Sequence, residues 1–185
     1  MHGGPCGDCQ MGTNPGRTHR FYTGKAVVPF GMGLSYSTFS YSLASAPTGP
    51  VSLDAARAMI AQTKADGRTF PDSRLLRATP LTVKYEINVT NTGSVDADEV
   101  VLGFLKPPGA GVGGVPLQTL YGFARVHLKK GETKTVELYP SMDDLTQVDQ
   151  DGTRYALSGR YKFAFGVQHE SAPEMAYTEH EVMMV

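Results

Sequence analysis

Alternation of apolar and polar side chains is the main signal along the second half of the chain. Leu81, Val83, Tyr85, Ile87 and Val89 alternate with Thr82, Lys84, Glu86, Asn88 and Thr90. Successive side chains of a strand point to opposite faces, so this run predicts a strand with one buried face. Asn91-Thr92-Gly93-Ser94 predicts the turn that follows. Further strands are predicted over 99–105, 117–128, 132–139, 160–168 and 177–185. Pro107-Pro108-Gly109 and the glycines from Gly111 to Gly114 form a loop between the first two of these. Lys129-Lys130-Gly131 closes another strand, and Asp149-Gln150-Asp151-Gly152 predicts a hairpin turn. An earlier strand begins at Ser35, with Tyr36, Thr38, Ser40 and Ser42 on one face and Ser37, Phe39, Tyr41 and Leu43 on the other. Pro47, Gly49 and Pro50 end it.

One segment breaks the two-residue period. Leu53, Ala56, Met59, Ile60 and Thr63 recur at helical spacing, which predicts an amphipathic helix over 52–65. Ser52 is the expected N-cap, Asp54 favours the first turn, and Gly67 is suited to close the C-terminus. Residues 1 to about 24 are rich in Gly and Pro and lack periodicity, so they predict an irregular extension. Short strands with frequent turns and no βαβ alternation imply an all-β antiparallel sandwich. The chain has no Trp and its two cysteines are close together, which argues against an antibody-type immunoglobulin domain.

Composition narrows the function. The chain has 185 residues, 19% of them charged, and a formal net charge of -1. Its largest basic cluster in sequence is Lys129-Lys130. Neither nucleic acid nor a membrane surface is an expected partner. No run approaches the roughly 18–20 apolar residues that span a bilayer. The N-terminus has neither the basic flank nor the apolar run of a secretory signal. Cys6 and Cys9 form one C-x-x-C pair with only His2 close by, too few ligands for a zinc site. His19, His127, His169 and His180 are scattered, so no metal and no cofactor is predicted. A G-x-S-x-G elbow is absent, and Gly31-Met32-Gly33-Leu34-Ser35 lacks the Lys of a phosphate loop. Asp143-Asp144 and Asp149/Asp151 could form a glycoside-cleaving or calcium-binding pair, but their turn-rich surroundings favour turn formation. Tyr121, Tyr155 and Tyr177 are candidate carbohydrate-stacking residues. Asn88-Val89-Thr90 is a possible N-glycosylation sequence on the polar side of its strand.

A more specific signal lies near the N-terminus. Pro29-Phe30-Gly31-Met32-Gly33-Leu34-Ser35-Tyr36-Ser37-Thr38-Phe39 resembles a segment near the C-terminus of glycoside hydrolase family 3 enzymes. Gly16-Arg17-Thr18-His19-Arg20-Phe21-Tyr22-Thr23-Gly24 resembles the corresponding stretch of the β-xylosidase branch, with His19 where Tyr is more frequent. Met32 likewise stands where an aromatic residue is common. Val89-Thr90-Asn91-Thr92-Gly93, Lys106-Pro107-Pro108, the stretch from Tyr121 to Leu128, Gly131-Glu132-Thr133 and Val148-Asp149-Gln150-Asp151-Gly152 follow in that family's order.

The resemblance implies a fibronectin type III-like sandwich over 35–185, with 47–78 inserted and carrying the helix 52–65. It implies that 1–34 are the tail of a preceding α/β sandwich domain plus a linker. The catalytic groups of such enzymes belong to the barrel and α/β domains, so no catalytic residue carries over to this chain. The implied role is a non-catalytic accessory domain of a β-xylosidase- or β-glucosidase-like enzyme. Its partners would be the catalytic domains, in cis or as a separate chain, with carbohydrate as a further candidate. An extracellular or vacuolar/lysosomal location is expected if the parent is secreted. The alternative is an independent carbohydrate-binding or protein-interaction module. The expected domain-junction motif comprises Arg17, Arg20, Phe21, Tyr22, Phe30, Gly31, Gly33, Tyr36 and Phe39. Within it, Gly31 and Gly33 would turn the chain sharply, and Phe30, Tyr36 and Phe39 would bury aromatic area.

Overall fold

The computed structural model describes residues 16–68, 74, 76, 83–149, 151–168 and 175–185. Cys6, Cys9, His2, His169 and the expected strand start at 81–82 lie outside the described residues. The elements are α1 (Thr18–Phe21), β1 (Phe39–Ser45), α2 (Asp54–Ala65), β2 (Tyr85–Asn91), β3 (Ala97–Lys106), β4 (Thr119–Leu128), β5 (Thr133–Leu138), β6 (Gln147–Val148), β7 (Arg154–Tyr155), β8 (Gly159–Gly166) and β9 (Tyr177–Met184). They form a three-stranded sheet in the order β1-β2-β5 and a four-stranded sheet in the order β4-β3-β8-β9. A short β6-β7 ribbon stands beside them. Every strand pair of the two sheets is antiparallel.

The alternating run delivers the face expected of it. Val83, Tyr85, Ile87 and Val89 are fully buried, while Lys84, Glu86, Asn88 and Thr90 stay half-buried on the other side. The opposing sheet supplies Val101, Leu105, Tyr161, Phe163, Phe165, Val182 and Met184. The Tyr85 ring lies 4.7 Å from that of Phe163 and 5.1 Å from that of Phe165, within the range of favourable aromatic pairs. Its hydroxyl reaches His180 Nδ1 at 3.3 Å, so His180 faces inward with Val182.

Asn91 is a buried polar hub at the end of β2. Its Oδ1 accepts from Ser37 Oγ at 2.6 Å and from the Gly93 amide at 3.0 Å. Its Nδ2 donates to the carbonyls of Val95 at 2.8 Å and Leu128 at 3.2 Å. One side chain thereby ties the β2 turn, the approach to β1 and the end of β4 together. Burial of an amide is tolerated because its hydrogen-bonding capacity is met.

Several boundaries differ from the sequence reading. The first strand starts at Phe39, not Ser35. Ser35 Oγ accepts the Ser37 amide and Ser37 bonds to Asn91, so local side-chain bonds hold 35–37 in a bend. The helix begins at Asp54, while Ser52 Oγ accepts the Asp54 amide at 3.0 Å. Gly67, at φ +69°, closes it as expected: its amide bonds Lys64 O and the Arg68 amide bonds Thr63 O. Ala56, Ile60 and Thr63 form the buried stripe. The N-terminal extension is not wholly irregular, since it contains the single turn α1. The segment between β1 and α2 also contributes to the sheet region: Val51 pairs in parallel with Met184, which covers part of the free edge of β9.

Candidate domain-docking surface

The outer faces of the two sheets are built from opposite chemistry. On the β1-β2-β5 sheet the register aligns Ser42, Asn88 and Thr135 across the three strands. Lys84 bridges Glu86 and Glu137, each at 2.6 Å. Thr90 and Thr133 are joined through their hydroxyls at 2.7 Å. The exposed large hydrophobic residues include none from these three strands.

On the β4-β3-β8-β9 sheet the outer face includes Phe123, 68% exposed, and Val100, 40% exposed. The same face carries Phe104, which is only 3% exposed because the N-terminal segment lies over it. His19 stacks on Phe30 with ring centroids 4.0 Å apart, and both rings meet Phe104 edge-on at 6.0 and 6.1 Å. The Leu117 amide donates to Arg20 O at 2.6 Å, which fixes α1 beside the start of β4. Gly31 has φ +85°, and a Cβ there would stand 2.4 Å from Leu102 Cδ1. The segment 16–34 therefore acts as a strap clamped on this sheet. Burial, with Arg20 beside it, pushes the His19 imidazole below its ordinary pKa. Its Nε2 is buried without a hydrogen-bond partner among the described residues.

The expected motif residues divide into strap and surface. Phe30 and Gly31 hold the strap, and Phe39 packs on the core from β1. Arg17, Arg20, Phe21 and Tyr22 are exposed; the Arg20 guanidinium lies 5.3 Å above the Phe21 ring, and the Tyr22 hydroxyl reaches Lys25 O at 3.4 Å. Tyr36 is 100% exposed, between Ser35 and Ser37 whose bonds hold the bend, and Phe30 is 48% exposed, so the aromatic area expected to be buried at a domain junction lies partly open within this chain. One expectation is corrected. Gly33 has no positive φ, and nothing lies within 4 Å of a Cβ placed on it, so the sharp turn depends on Gly31. The strap leaves an apolar outer surface: Val27 is 91%, Val28 66% and Leu34 97% exposed.

The acidic pairs are accounted for by structure. Asp143 Oδ1 is 2.6 Å from Arg154 Nη1, both side chains largely buried. Asp144 Oδ2 accepts the Ser141 amide and hydroxyl. Asp149 Oδ1 accepts the amides of Asp151 and Thr153, which closes the β6-β7 hairpin. The bonds of Asp144 and Asp149 are turn-forming, as the sequence context suggested, while Asp143 is held in an ion pair. Among the described residues no group of three or more His, Cys, Asp or Glu could hold a metal ion.

Two open grooves flank the strap. One, of about 860 Å³, runs between His19, Phe21 and Pro116 and the hairpin residues Gln147, Asp149 and Tyr155. The other, of about 780 Å³, lies between Tyr22, Phe30, Phe104, Lys106 and Tyr177. Of the candidate stacking tyrosines, Tyr155 and Tyr177 line these grooves half-buried. Tyr121 turns inward, with its ring 5.8 Å from that of Phe163. Sequence reasoning missed Phe104 and Leu102 as the seat of the strap. Their places in an apolar strand reveal only that they are strand residues.

Comparison with known proteins agrees with this architecture. A family model described as a fibronectin type III-like domain matches residues 99–168, which span β3 to β8. The chain is 39% identical over 163 residues to an exo-1,4-β-xylosidase of Emericella nidulans, covering 87% of this chain and 19% of that protein. It is 33% identical over 159 residues to β-D-xylosidase 1 of Arabidopsis thaliana, covering 84% and 20%. The chain thus spans about a fifth of the length of these relatives. Among solved structures, a β-glucosidase from Listeria innocua in complex with glucose is similar in fold, with a TM-score of 0.60 and 20% identity over 84% of this chain and 17% of that one. A β-glucosidase from Erythrobacter marinus has a TM-score of 0.64 and 20% identity, covering 92% and 20%.

Proposed function

We propose that this chain, a fibronectin type III-like β-sandwich related to part of the β-xylosidases and β-glucosidases of glycoside hydrolase family 3, is the accessory portion of such an enzyme and packs against its catalytic domains. In this reading 1–34 is the tail of the preceding domain and linker, and 35–185 is the sandwich with its 47–78 insertion. The parent cleaves O-glycosyl bonds, and the sandwich supports the domains that do so. The observation that carries the reading is the strap. Its inner side is clamped by Phe104, while Val27, Val28 and Leu34 on it, and Tyr36 just beyond it, are exposed to water. Val27, Val28 and Leu34 follow one another closely along the segment, and apolar surface so exposed favours an interaction site. Its place within the expected tail and linker, immediately before the sandwich, makes the preceding domain the natural occupant.

The test mixes this chain with the barrel and α/β domains of a family 3 β-xylosidase made without their own sandwich, and measures association by sedimentation. Leu34→Ser combined with Tyr36→Ser changes side chains that touch little within this chain, so folding should be retained. Association should weaken about tenfold or more, as expected for apolar anchors at an interface. Unchanged association of the folded double variant would overturn the docking surface. The chain alone should not hydrolyse nitrophenyl xyloside, glucoside or arabinoside. Turnover abolished by Asp144→Asn or Asp149→Asn would overturn the accessory reading. The independent carbohydrate-binding alternative draws on Tyr155 and Tyr177 in the grooves, and a polysaccharide pull-down tests it directly.

A further inference from the structure

We propose that Asn88 is an acceptor for an N-linked glycan, and that the outer face of the β1-β2-β5 sheet is the glycan-bearing, solvent-facing side of the molecule. Asn88-Val89-Thr90 has the acceptor pattern, with a hydroxyl residue two positions after Asn. Within β2 that spacing puts Asn88 and Thr90 on the same face, and Val89 between them is fully buried in the core. The pattern alone occurs often by chance. The structure adds three independent conditions that a modified Asn must meet.

The first is access. β2 is the central strand of its sheet, yet Asn88 is not enclosed, because its register neighbours are the small residues Ser42 on β1 and Thr135 on β5. The second is orientation of the amide. Thr135 Oγ1 donates to Asn88 Oδ1 at 2.8 Å, which engages the carbonyl oxygen and leaves Nδ2, the atom that carries a glycan, without a hydrogen-bond partner among the described residues. A glycan on Nδ2 keeps that bond. The third is the character of the whole face. Serine, threonine, lysine and glutamate side chains cover it, and its three strands offer no large exposed apolar residue for a neighbouring domain to bury. A hydrated, bulky sugar is compatible with such a face and incompatible with the apolar strap side.

The chemistry requires a lipid-linked pyrophosphate oligosaccharide as donor and the transferase of a secretory compartment. Nδ2 forms a bond to the anomeric carbon as the bond from that carbon to the pyrophosphate oxygen breaks. Nδ2 loses one proton, and the lipid pyrophosphate leaves.

The full chain, secreted by a eukaryotic host behind a cleavable leader, tests the proposal. Asp151→Asn creates a second acceptor, with Thr153, in the exposed β6-β7 turn, and reports that the host has modified this chain. In a host that modifies that control, the unaltered chain should migrate as a heavier species that peptide-N-glycosidase collapses, leaving Asp at position 88 in the mass spectrum. Asn88→Gln and Thr90→Ala should each abolish the shift, and Thr90→Ser should retain it. A secreted, folded chain unmodified at Asn88 in that host overturns the proposal, as does a shift that persists in both Asn88→Gln and Thr90→Ala. This outcome is independent of the docking experiment, which reads the opposite sheet.

Discussion

The two sheets of this sandwich share one interior but present contrasting exteriors. The β1-β2-β5 sheet is amphipathic in the simplest way, with buried Val83, Tyr85, Ile87 and Val89 backed by a polar outer face. The β4-β3-β8-β9 sheet is apolar on both sides around Phe104, and its outer side is occupied by the strap. Antiparallel sheets commonly keep one face in water, so a doubly apolar one calls for a cover. The strap supplies that cover for Phe104 and, through Val27, Val28 and Leu34, carries apolar surface outward again.

Truncation of one phenylalanine on each side of the sheet tests this contrast most severely. Phe163 faces the interior between Tyr85 and Tyr121 and is fully buried. Phe163→Ala should cost about 3–5 kcal/mol in denaturant unfolding, the range for a large core ring replaced by a cavity. Phe104→Ala should cost less, about 2 kcal/mol, because the strap can lift and water can reach the site rather than a sealed void remaining. Hydrogen exchange should then show 16–34 losing protection while the strands keep theirs. Equal losses, with uniform exchange, would mean that the strap is an integral part of the core.

Much of this organisation is legible in sequence. The alternating runs identify β2, β5 and β8, apolar runs between turn signals identify β3, β4 and β9, and the helical spacing with Gly67 identifies α2. The bend at 35–37 is not legible, because Ser35-Tyr36-Ser37-Thr38 alternates as a strand would. Hydrogen bonds to Ser35 and to the distant Asn91 decide otherwise. Asn91 reads locally as a turn residue, and its role as a hub depends on Val95 and Leu128. Phe104 could not be distinguished from an inward-facing residue, since inner and outer positions of that strand are both apolar. The resemblance points to the stretch from Arg17 to Phe39, but the division of its residues between clamp and exposed surface required the packing.

A smaller effect is expected from the clamp itself. Gly31 adopts φ +85° over Leu102. Gly31→Ala should cost about 1–2 kcal/mol of strap docking, the usual penalty for a left-handed L-residue, with added pressure on Leu102. The loss should show as faster proteolysis near residues 27–34. Unchanged cleavage would mean that the strap tolerates a different path.

A third contact couples the two sheets electrostatically. The Tyr41 hydroxyl on β1 donates to Glu99 on β3. Burial lifts the Glu99 carboxyl above its ordinary pKa, and the Tyr41 bond opposes this only in part. The folded state therefore holds the proton more tightly than the unfolded state. The stabilisation is full below the unfolded pKa and is lost as pH rises through the raised folded pKa. Glu99→Gln should flatten that decline across the weakly acidic range in a series of thermal melts. An unchanged slope would mean that Glu99 binds its proton equally tightly in the folded and unfolded states.

The smallest expected effect on folding is the most informative about docking. Gly33 has no left-handed φ, and a methyl group added to its Cα would meet no neighbour within 4 Å. Gly33→Ala should leave the stability of this chain within about 0.5 kcal/mol, as for other surface changes away from special features. The strap's outer surface, however, is where the catalytic domains are proposed to lie, and Leu34 beside Gly33 is among its most exposed residues. If the glycine allows close approach of another backbone, the same methyl should weaken association with those domains several-fold while unfolding is unchanged. Loss of association without loss of stability would separate the two roles of neighbouring glycines: Gly31 shapes the strap, and Gly33 leaves room for what covers it. Equal association of Gly33→Ala and the unaltered chain would place the interface beyond Gly33, toward Val27 and Val28.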